Sequence, residues 1–177
     1  ALNVDEIGDG NINYVFRIWD DSTGKSLVVK QADKKLKSSG RPLGVYRNKI
    51  EVEILKIQNH FAPGKVPQVY HYNEPMCALT MEDISDFKNL RIALLEGNRY
   101  ENFSQEITDF LVQVLVSTTD LLMDRHLKKD WVKKFTNVEL CDISEDLVFT
   151  EPYYNYKNRN IITEGNEALV NQVLYAD

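Results

Sequence analysis

Two glycines and one lysine near the start of the chain have the types and spacing for anion chemistry. Gly8 and Gly10 lie in a loop, here called the glycine loop (residues 7–13), and Lys30 ends the second apolar run that follows it. Glycine has no Cβ, so the backbone can turn tightly and approach a bound group. Backbone N–H groups and a nearby ammonium both attract anions. The pattern predicts a polyphosphate site, and a surface hairpin with two turn glycines is the alternative.

The order of elements around these residues is typical of protein-kinase-like folds. A glycine loop, a strand, a polar turn at residues 20–25 and a strand that ends in lysine form the arrangement with which those folds hold ATP phosphates. Kinases have a third glycine where this chain has Asn13, whose side-chain amide can donate to a phosphate oxygen. The resemblance implies ATP as the ligand.

A helix is predicted over residues 45–61. Its apolar stripe has helical spacing and consists of Ile50, Ile54, Ile57 and Phe61. In a kinase-like lobe this helix supplies a carboxylate that pairs with the strand lysine. Glu51 and Glu53 lie on opposite sides of the stripe, so periodicity alone leaves both open as the partner of Lys30.

Two further strands are predicted at residues 69–72 and 77–81, followed by an abrupt change to polar residues. In kinase-like folds this segment is the hinge, whose backbone binds adenine. Glu82 would offer its carbonyl and Ile84 its N–H, with Met81 at the back of the adenine pocket. The alternative is a plain strand-to-helix loop in which Asp86 is the helix N-cap.

The segment between Lys30 and the helix, residues 32–44, is basic and punctuated by glycine and proline. Such a composition indicates a mobile, solvated connection. The functional alternative is a flap whose cations help to attract ATP. Those cations are Lys34, Lys35, Lys37 and Arg41.

Longer stretches of the chain resemble one family, the 5-methylthioribose kinases of the aminoglycoside-phosphotransferase-like superfamily. The matching stretches lie within residues 3–154 and read EIGDGNINYVF, VVKQA, RNKIEVEILKIQ, APGKVPQVYHYN, LTMEDISD, LRIALLEGNRYENF and VKKFTNVELCDISEDLVFTEPY. The family pattern Arg-x-x-Ile-Glu falls on residues 47–51 and favours Glu51 as the lysine's partner. The ATP contacts that the resemblance implies are Asn13, Lys30, Glu82, Asp83 and Ile84.

The resemblance also implies residues that the chain lacks. The family uses a His-Gly-Asp loop for the catalytic aspartate and an Asp-Pro-Glu segment for Mg²⁺. None of the 3 histidines precedes Gly-Asp, and Asp-Pro occurs nowhere in the sequence. We expect ATP and Mg²⁺ as cofactors but no catalytic or metal-binding residue in this chain. The chain is predicted to be an inactive fragment of a kinase about twice as long.

The predicted fold class is α+β: a protein-kinase-like N-terminal lobe with an antiparallel five-stranded sheet and one helix, followed by the first helices of a C-terminal lobe. Residues 1–84 are expected to form the ATP-binding lobe, with a hinge at 82–86, and residues 87–177 a partial helical lobe. The predicted later helices span 87–96, 104–123, 127–135, 142–149 and 166–175.

The composition limits the partners. The net charge of −6 argues against nucleic acid, and no apolar run has the length of a membrane helix. Cys77 and Cys141 have no paired spacing, which indicates reduced thiols in a cytoplasmic protein. The expected partners are ATP, 5-methylthioribose through the missing lobe, and a possible second copy. The functional alternatives are another small-molecule kinase of the superfamily and a non-catalytic nucleotide-binding module.

Overall fold

Five strands form one antiparallel sheet in the part of the chain that the structure describes. The structure is a computed structural model that describes residues 1–8, 10, 12–37, 40–154, 157 and 160–168. The strands are β1 (Leu2–Glu6), β2 (Asn13–Asp20), β3 (Lys25–Ala32), β4 (Val69–Asn73) and β5 (Ala78–Met81). Their order in the sheet is β1-β2-β3-β5-β4. This confirms the predicted α+β class, with the sheet of a kinase-like N-terminal lobe followed by helices.

The hairpin that joins β2 to β3 is closed by local turn chemistry. The carboxylate of Asp20 accepts from the backbone N–H of Ser22 at 3.1 Å and from its hydroxyl at 2.8 Å. These hydrogen bonds lower the pKa of the Asp20 carboxyl. Gly24 has a φ of +66°, a conformation that side chains with a Cβ rarely adopt. The turn fixes the register, in which Asp20 faces Lys25 and Val15 faces Lys30.

The first helix, α1 (Arg47–Phe61), packs with a different face from the apolar stripe. Its buried residues are Arg47, Asn48 and Val52, and Asn48 is 0% exposed. The isoleucines of the stripe are only partly buried. Ile57 and Phe61 line a cavity of about 640 Å³ between α1 and the segment 117–131. The hydrophobic pattern therefore located the helix correctly but did not identify its most buried side.

The helix predicted over 87–96 is shorter than expected. Helix α2 (Leu90–Leu95) begins after Asn89, whose side chain accepts from the N–H of Arg91 at 2.9 Å. Asn89, and not Asp86, is therefore the N-cap. Gly97, with a φ of +77°, follows the helix as expected.

The helix predicted over 104–123 also ends early. Helix α3 (Phe103–Leu111) continues into a π-helical stretch, Val112–Val116, and then into turns. The hydroxyl of Thr118 donates to the carbonyls of Val114 and Leu115, each at 3.1 Å. Threonine side chains that bind nearby backbone carbonyls compete with continued helix. These contacts lie where the helix ends, although its apolar spacing continues.

The remaining helices are displaced from their predicted bounds. Helix α4 (Arg125–Phe135) is close to the prediction and is capped by Asp124. Helix α5 (Val138–Glu145) starts before residue 142 because Asn137 caps it, and a π-helical stretch, Asp146–Thr150, follows. Most of the helix predicted over 166–175 lies outside the described residues.

The chain divides into two compact units, Ala1–Thr136 and Asn137–Asp177. The first contains the whole sheet and helices α1 to α4, and the second contains α5. Cys77 lies in a turn with a φ of +46°, and not in a strand as predicted, and both cysteines are free. Across the described ranges, no helix combines the length and apolar character that a bilayer crossing requires.

Candidate functional site

Lys30 and Glu51 form an ion pair between the sheet and α1. The Lys30 Nζ lies 2.6 Å from the Glu51 Oε1, and the two side chains are 23% and 31% exposed. Glu53, the other candidate, instead accepts from the Nζ of Lys134 at 2.7 Å. Of the two glutamates left open by periodicity, Glu51 is therefore the one that contacts Lys30. The pair holds an ammonium at a fixed position while leaving part of it accessible.

Apolar side chains lie on the same face of the sheet as Lys30. Side chains alternate between the two faces along a strand, and directly paired residues share a face. Val15 pairs with Lys30, and Val28, two residues before Lys30, pairs with Met81. Val28 is buried and Met81 partly buried. This face therefore joins an apolar surface near the end of β5 to the charged pair.

The glycine loop leaves open space at both of its glycines. Gly8 has a φ of +91°, which requires glycine, whereas Gly10 has no such requirement. A Cβ built on either residue meets no protein atom within 4 Å. The backbone N–H of Ile7 donates to the carbonyl of Val15 at 2.8 Å and closes the base of the loop.

Asn13, the residue in place of the third kinase glycine, is buried at the end of the loop. It is 4% exposed, and its Oδ1 accepts from Arg47 Nη2 at 3.0 Å. Its position on β2 puts its side chain on the face shared by Val15 and Lys30. The predicted contact between its amide nitrogen and a phosphate oxygen stays a prediction.

Glu82 connects the segment after β5 to Gln68, the residue before β4, through two hydrogen bonds. The N–H of Glu82 donates to the carbonyl of Gln68 at 2.8 Å, and the N–H of Gln68 donates to the Glu82 carboxylate at 3.0 Å. Ile84 is exposed, and its carbonyl accepts from the N–H of Phe87 at 3.0 Å. These contacts leave the predicted adenine contacts, the Glu82 carbonyl and the Ile84 N–H, as predictions.

The side chain of Asp83 forms an ion pair with Arg17 of strand β2. Its carboxylate lies 2.7 Å from Arg17 Nε and also accepts from the N–H of Ser85 at 3.0 Å. Burial raises the pKa of the Asp83 carboxyl, but hydrogen bonds from Arg17, Ser26 and Ser85 outweigh burial and lower that pKa far below its usual value. Asp83 therefore anchors the segment after β5 to β2, the strand that follows the glycine loop.

The basic connection between β3 and α1 buries two leucines and contains a β-bridge. Leu36 and Leu43 are both 3% exposed, and a β-bridge joins Lys35 to Pro42. The Lys37 Nζ lies 3.3 Å from Glu6 Oε1 and 4.0 Å from the ring centroid of Tyr14. Because Tyr14 is adjacent to Asn13 on β2, its side chain is on the opposite face from Lys30. Leu36 and Leu43 are therefore not solvated, in contrast to the expectation for a basic connection, and Lys37 is engaged away from the lysine face.

Two buried polar residues at the start of α1 were missed by the sequence reasoning as site residues. The Nδ2 of Asn48 donates to the carbonyl of Lys30 at 3.0 Å and to that of Cys77 at 2.8 Å. Arg47 contacts Ile12 and Asn13 at the end of the glycine loop. A polar residue in the first turn of a helix is usually solvated, so periodicity gives no signal for Asn48. For Arg47, the family pattern Arg-x-x-Ile-Glu was the available signal.

Three proteins with sequences similar to this chain are each named methylthioribose kinase. The chain is 39% identical over 99% of its length to a methylthioribose kinase of Bacillus pumilus, 41% over 93% to one of Bacillus velezensis, and 40% over 90% to one of a Geobacillus species. The predicted resemblance to the 5-methylthioribose kinases is confirmed. The chain spans 44%, 42% and 40% of the length of these three methylthioribose kinases. No family model matches the chain.

The described arrangement combines a cation, a loop whose two glycines face open space, and an adjacent apolar surface, which are features that suit an anionic ligand. Among the residues that the structure describes, no group of three or more histidine, cysteine, aspartate or glutamate side chains could hold a metal ion. No Mg²⁺ ligand is therefore assigned to these residues.

Proposed function

We propose that the chain binds ATP and is the nucleotide-binding part of a kinase that phosphorylates 5-methylthioribose at its 1-hydroxyl, a reaction of methionine salvage. The observation that carries this proposal is the Lys30–Glu51 ion pair beside the glycine loop. Phosphoryl transfer depends mainly on positioning and on neutralising charge. A lysine held by a glutamate, next to a loop with unobstructed glycines, provides both for the phosphates of a nucleotide.

In the proposed complex, the triphosphate lies along the glycine loop, with the backbone at Gly8 and Gly10 and the amide of Asn13 as donors. Lys30 faces the phosphates, and Glu51 keeps its ammonium in place. Adenine lies against Val15, Val28 and Met81, at the backbone of residues 82–84. The apolar character of that face supports this placement, since adenine sites are mostly apolar with a few polar groups.

The substrate is proposed from the names of the relatives, because the described residues contain no recognisable sugar site. The aspartate base and the Mg²⁺ ligands are proposed to lie outside these 177 residues. Two observations support this proposal. The sequence has neither His-Gly-Asp nor Asp-Pro-Glu, and the chain spans only 40–44% of the length of the three relatives. A cytoplasmic location stays a prediction.

The chain alone is expected to form no ADP when it is mixed with ATP, Mg²⁺ and 5-methylthioribose, because it lacks the aspartate base. Calorimetric titration of the same sample with ATP is expected to show binding at one site. ADP formation that depends on the sugar and persists after repurification would contradict the first expectation, and a flat titration would contradict the proposed function. Profiling sugars and other hydroxyl compounds with the complete protein tests the proposed substrate.

Replacing Gly10 by alanine is expected to change the free energy of unfolding by less than about 0.5 kcal/mol, because the added Cβ meets no protein atom. The same methyl group occupies the space where we place the phosphates, so ATP affinity should fall by roughly tenfold. Gly8→Ala is the matched comparison, because its φ of +91° adds a folding cost of about 1 kcal/mol or more. Urea unfolding and ATP titration separate the two effects. Unchanged ATP affinity in Gly10→Ala would place the phosphates elsewhere.

A further inference from the structure

Arg47, the first residue of α1, is a buried cation that joins separate segments of the lobe. It is 6% exposed. Its Nη1 donates to the carbonyls of Leu43 at 3.3 Å and Gly44 at 2.7 Å. Its Nη2 donates to the carbonyl of Ile12, to Asn13 Oδ1 at 3.0 Å and to the carbonyl of Asp33 at 2.7 Å. One guanidinium thus contacts the end of the glycine loop, the residue after β3 and the connection to α1.

The identity of the side chain matters for this set of contacts. Guanidinium is planar and presents five N–H donors in a fixed fork, whereas the ammonium of lysine is a compact charge with three rotatable donors. A lysine at position 47 would keep the charge but could not reach the same oxygens together. Ile12 and Asn13 lie 35 and 34 positions before Arg47 in the chain. Such contacts restrict the loop in a way that local turn chemistry cannot.

Arg47 and Glu51 lie one turn apart on α1, at the i and i+4 positions that share a helix face. That face therefore presents one side chain to the glycine loop and the other to Lys30. A shift of α1 along its axis would move both contacts together. The helix thus adds a second connection between the end of the loop and Lys30, beside the direct pairing of β2 with β3.

We propose that Arg47 is a positioning residue of the nucleotide site: it holds the end of the glycine loop at the place where the loop and Lys30 can bind the same triphosphate. The proposal rests on the proposed function. Arg47 acts through Ile12 and Asn13, and it has no direct contact with ATP. Its removal should therefore weaken binding of the triphosphate, while binding of the adenosine part stays unchanged.

The test uses the 177-residue chain, the variant Arg47→Lys and the control Arg99→Lys, in which an exposed arginine is changed in the same way. ATP and adenosine affinities are measured by titration, and hydrogen exchange of residues 7–15 is measured without ligand. Arg47→Lys is expected to lose at least tenfold in ATP affinity, to keep adenosine affinity within twofold, and to exchange faster in the loop. Unchanged ATP affinity, equal losses for ATP and adenosine, or unchanged loop exchange would each overturn the proposal.

If Arg47→Lys does not fold, two variants of Asn13 test whether Arg47 holds the glycine loop. Asn13→Asp keeps the oxygen that Arg47 binds, and Asn13→Ala removes it. Loop exchange without ligand is expected to become faster in Asn13→Ala than in Asn13→Asp, and equal exchange in the two would refute the positioning role. If the wild-type chain binds no ATP, the proposed function fails, and the exchange data still report separately whether Arg47 holds the loop.

Discussion

Replacing Lys30 by alanine is expected to lower ATP affinity by roughly ten- to a hundredfold. The lost group is a cation that faces the phosphates, and hydrogen bonds to charged groups contribute about 1.5–3 kcal/mol. Glu51→Gln should have a smaller effect in the same direction, because the ammonium remains but loses the carboxylate that holds it at 2.6 Å. Calorimetric titration with ATP measures both losses.

Two matched variants control for general effects of charge. Lys25→Ala removes an exposed lysine from the start of the same strand, and its ATP affinity should stay within twofold of the wild type. Glu53→Gln removes the carboxylate that binds Lys134. If Glu53→Gln weakens ATP binding and Glu51→Gln does not, the role assigned to the Lys30–Glu51 pair is wrong.

Replacing Asp83 by asparagine is expected to lower the free energy of unfolding at neutral pH by about 2 kcal/mol. Breaking a fully buried ion pair costs about 3–5 kcal/mol. The Asp83 side chain is 4% exposed, but that of Arg17 is 34% exposed, so solvent reduces the cost of leaving the guanidinium alone. Arg17→Gln and the double variant complete a cycle in which the two changes should be less than additive.

The contribution of Asp83 depends on pH in a defined direction. The folded protein lowers the pKa of this carboxyl, so its stabilisation is complete above the unfolded pKa of about 3.9 and is lost as pH falls below that value. The stability difference between wild type and Asp83→Asn should therefore be largest near neutral pH and should shrink on acidification to about pH 3. Asp86→Asn, which removes an exposed carboxylate of the same segment, is the comparison variant. A difference that grows on acidification would contradict the assignment.

Features that depend on neighbours in sequence could be predicted. The β2–β3 hairpin follows from Asp20 and Gly24, which act within the turn itself. The glycine loop and Lys30 could be placed on adjacent strands because the hairpin between them is short. The choice between Glu51 and Glu53 could not be made from periodicity, since it depends on the angle at which α1 packs on the sheet.

Features that depend on distant backbone groups could not be predicted. Asn48 is fully buried because two carbonyls, 18 and 29 residues away, accept its hydrogen bonds. Nothing in the local pattern around Asn48 indicates those partners, and its polarity suggests exposure. The end of the helical stretch at Val116 was also missed, because the apolar pattern continues past it while threonine hydroxyls bind the preceding carbonyls. The family resemblance implied Asp83 as an ATP contact, whereas its ion pair with Arg17 depends on tertiary packing that the local pattern does not specify.

Hydrogen exchange of the chain with and without ATP tests the central claim most directly, because it reports both whether ATP binds and where. We expect ATP to slow exchange in peptides that cover the glycine loop, the end of β3 around Lys30, and residues 81–85. Adenosine should protect residues 81–85 but not the glycine loop. ATP-dependent protection confined to other parts of the chain, or no protection at ATP concentrations in the millimolar range, would contradict the proposed nucleotide site.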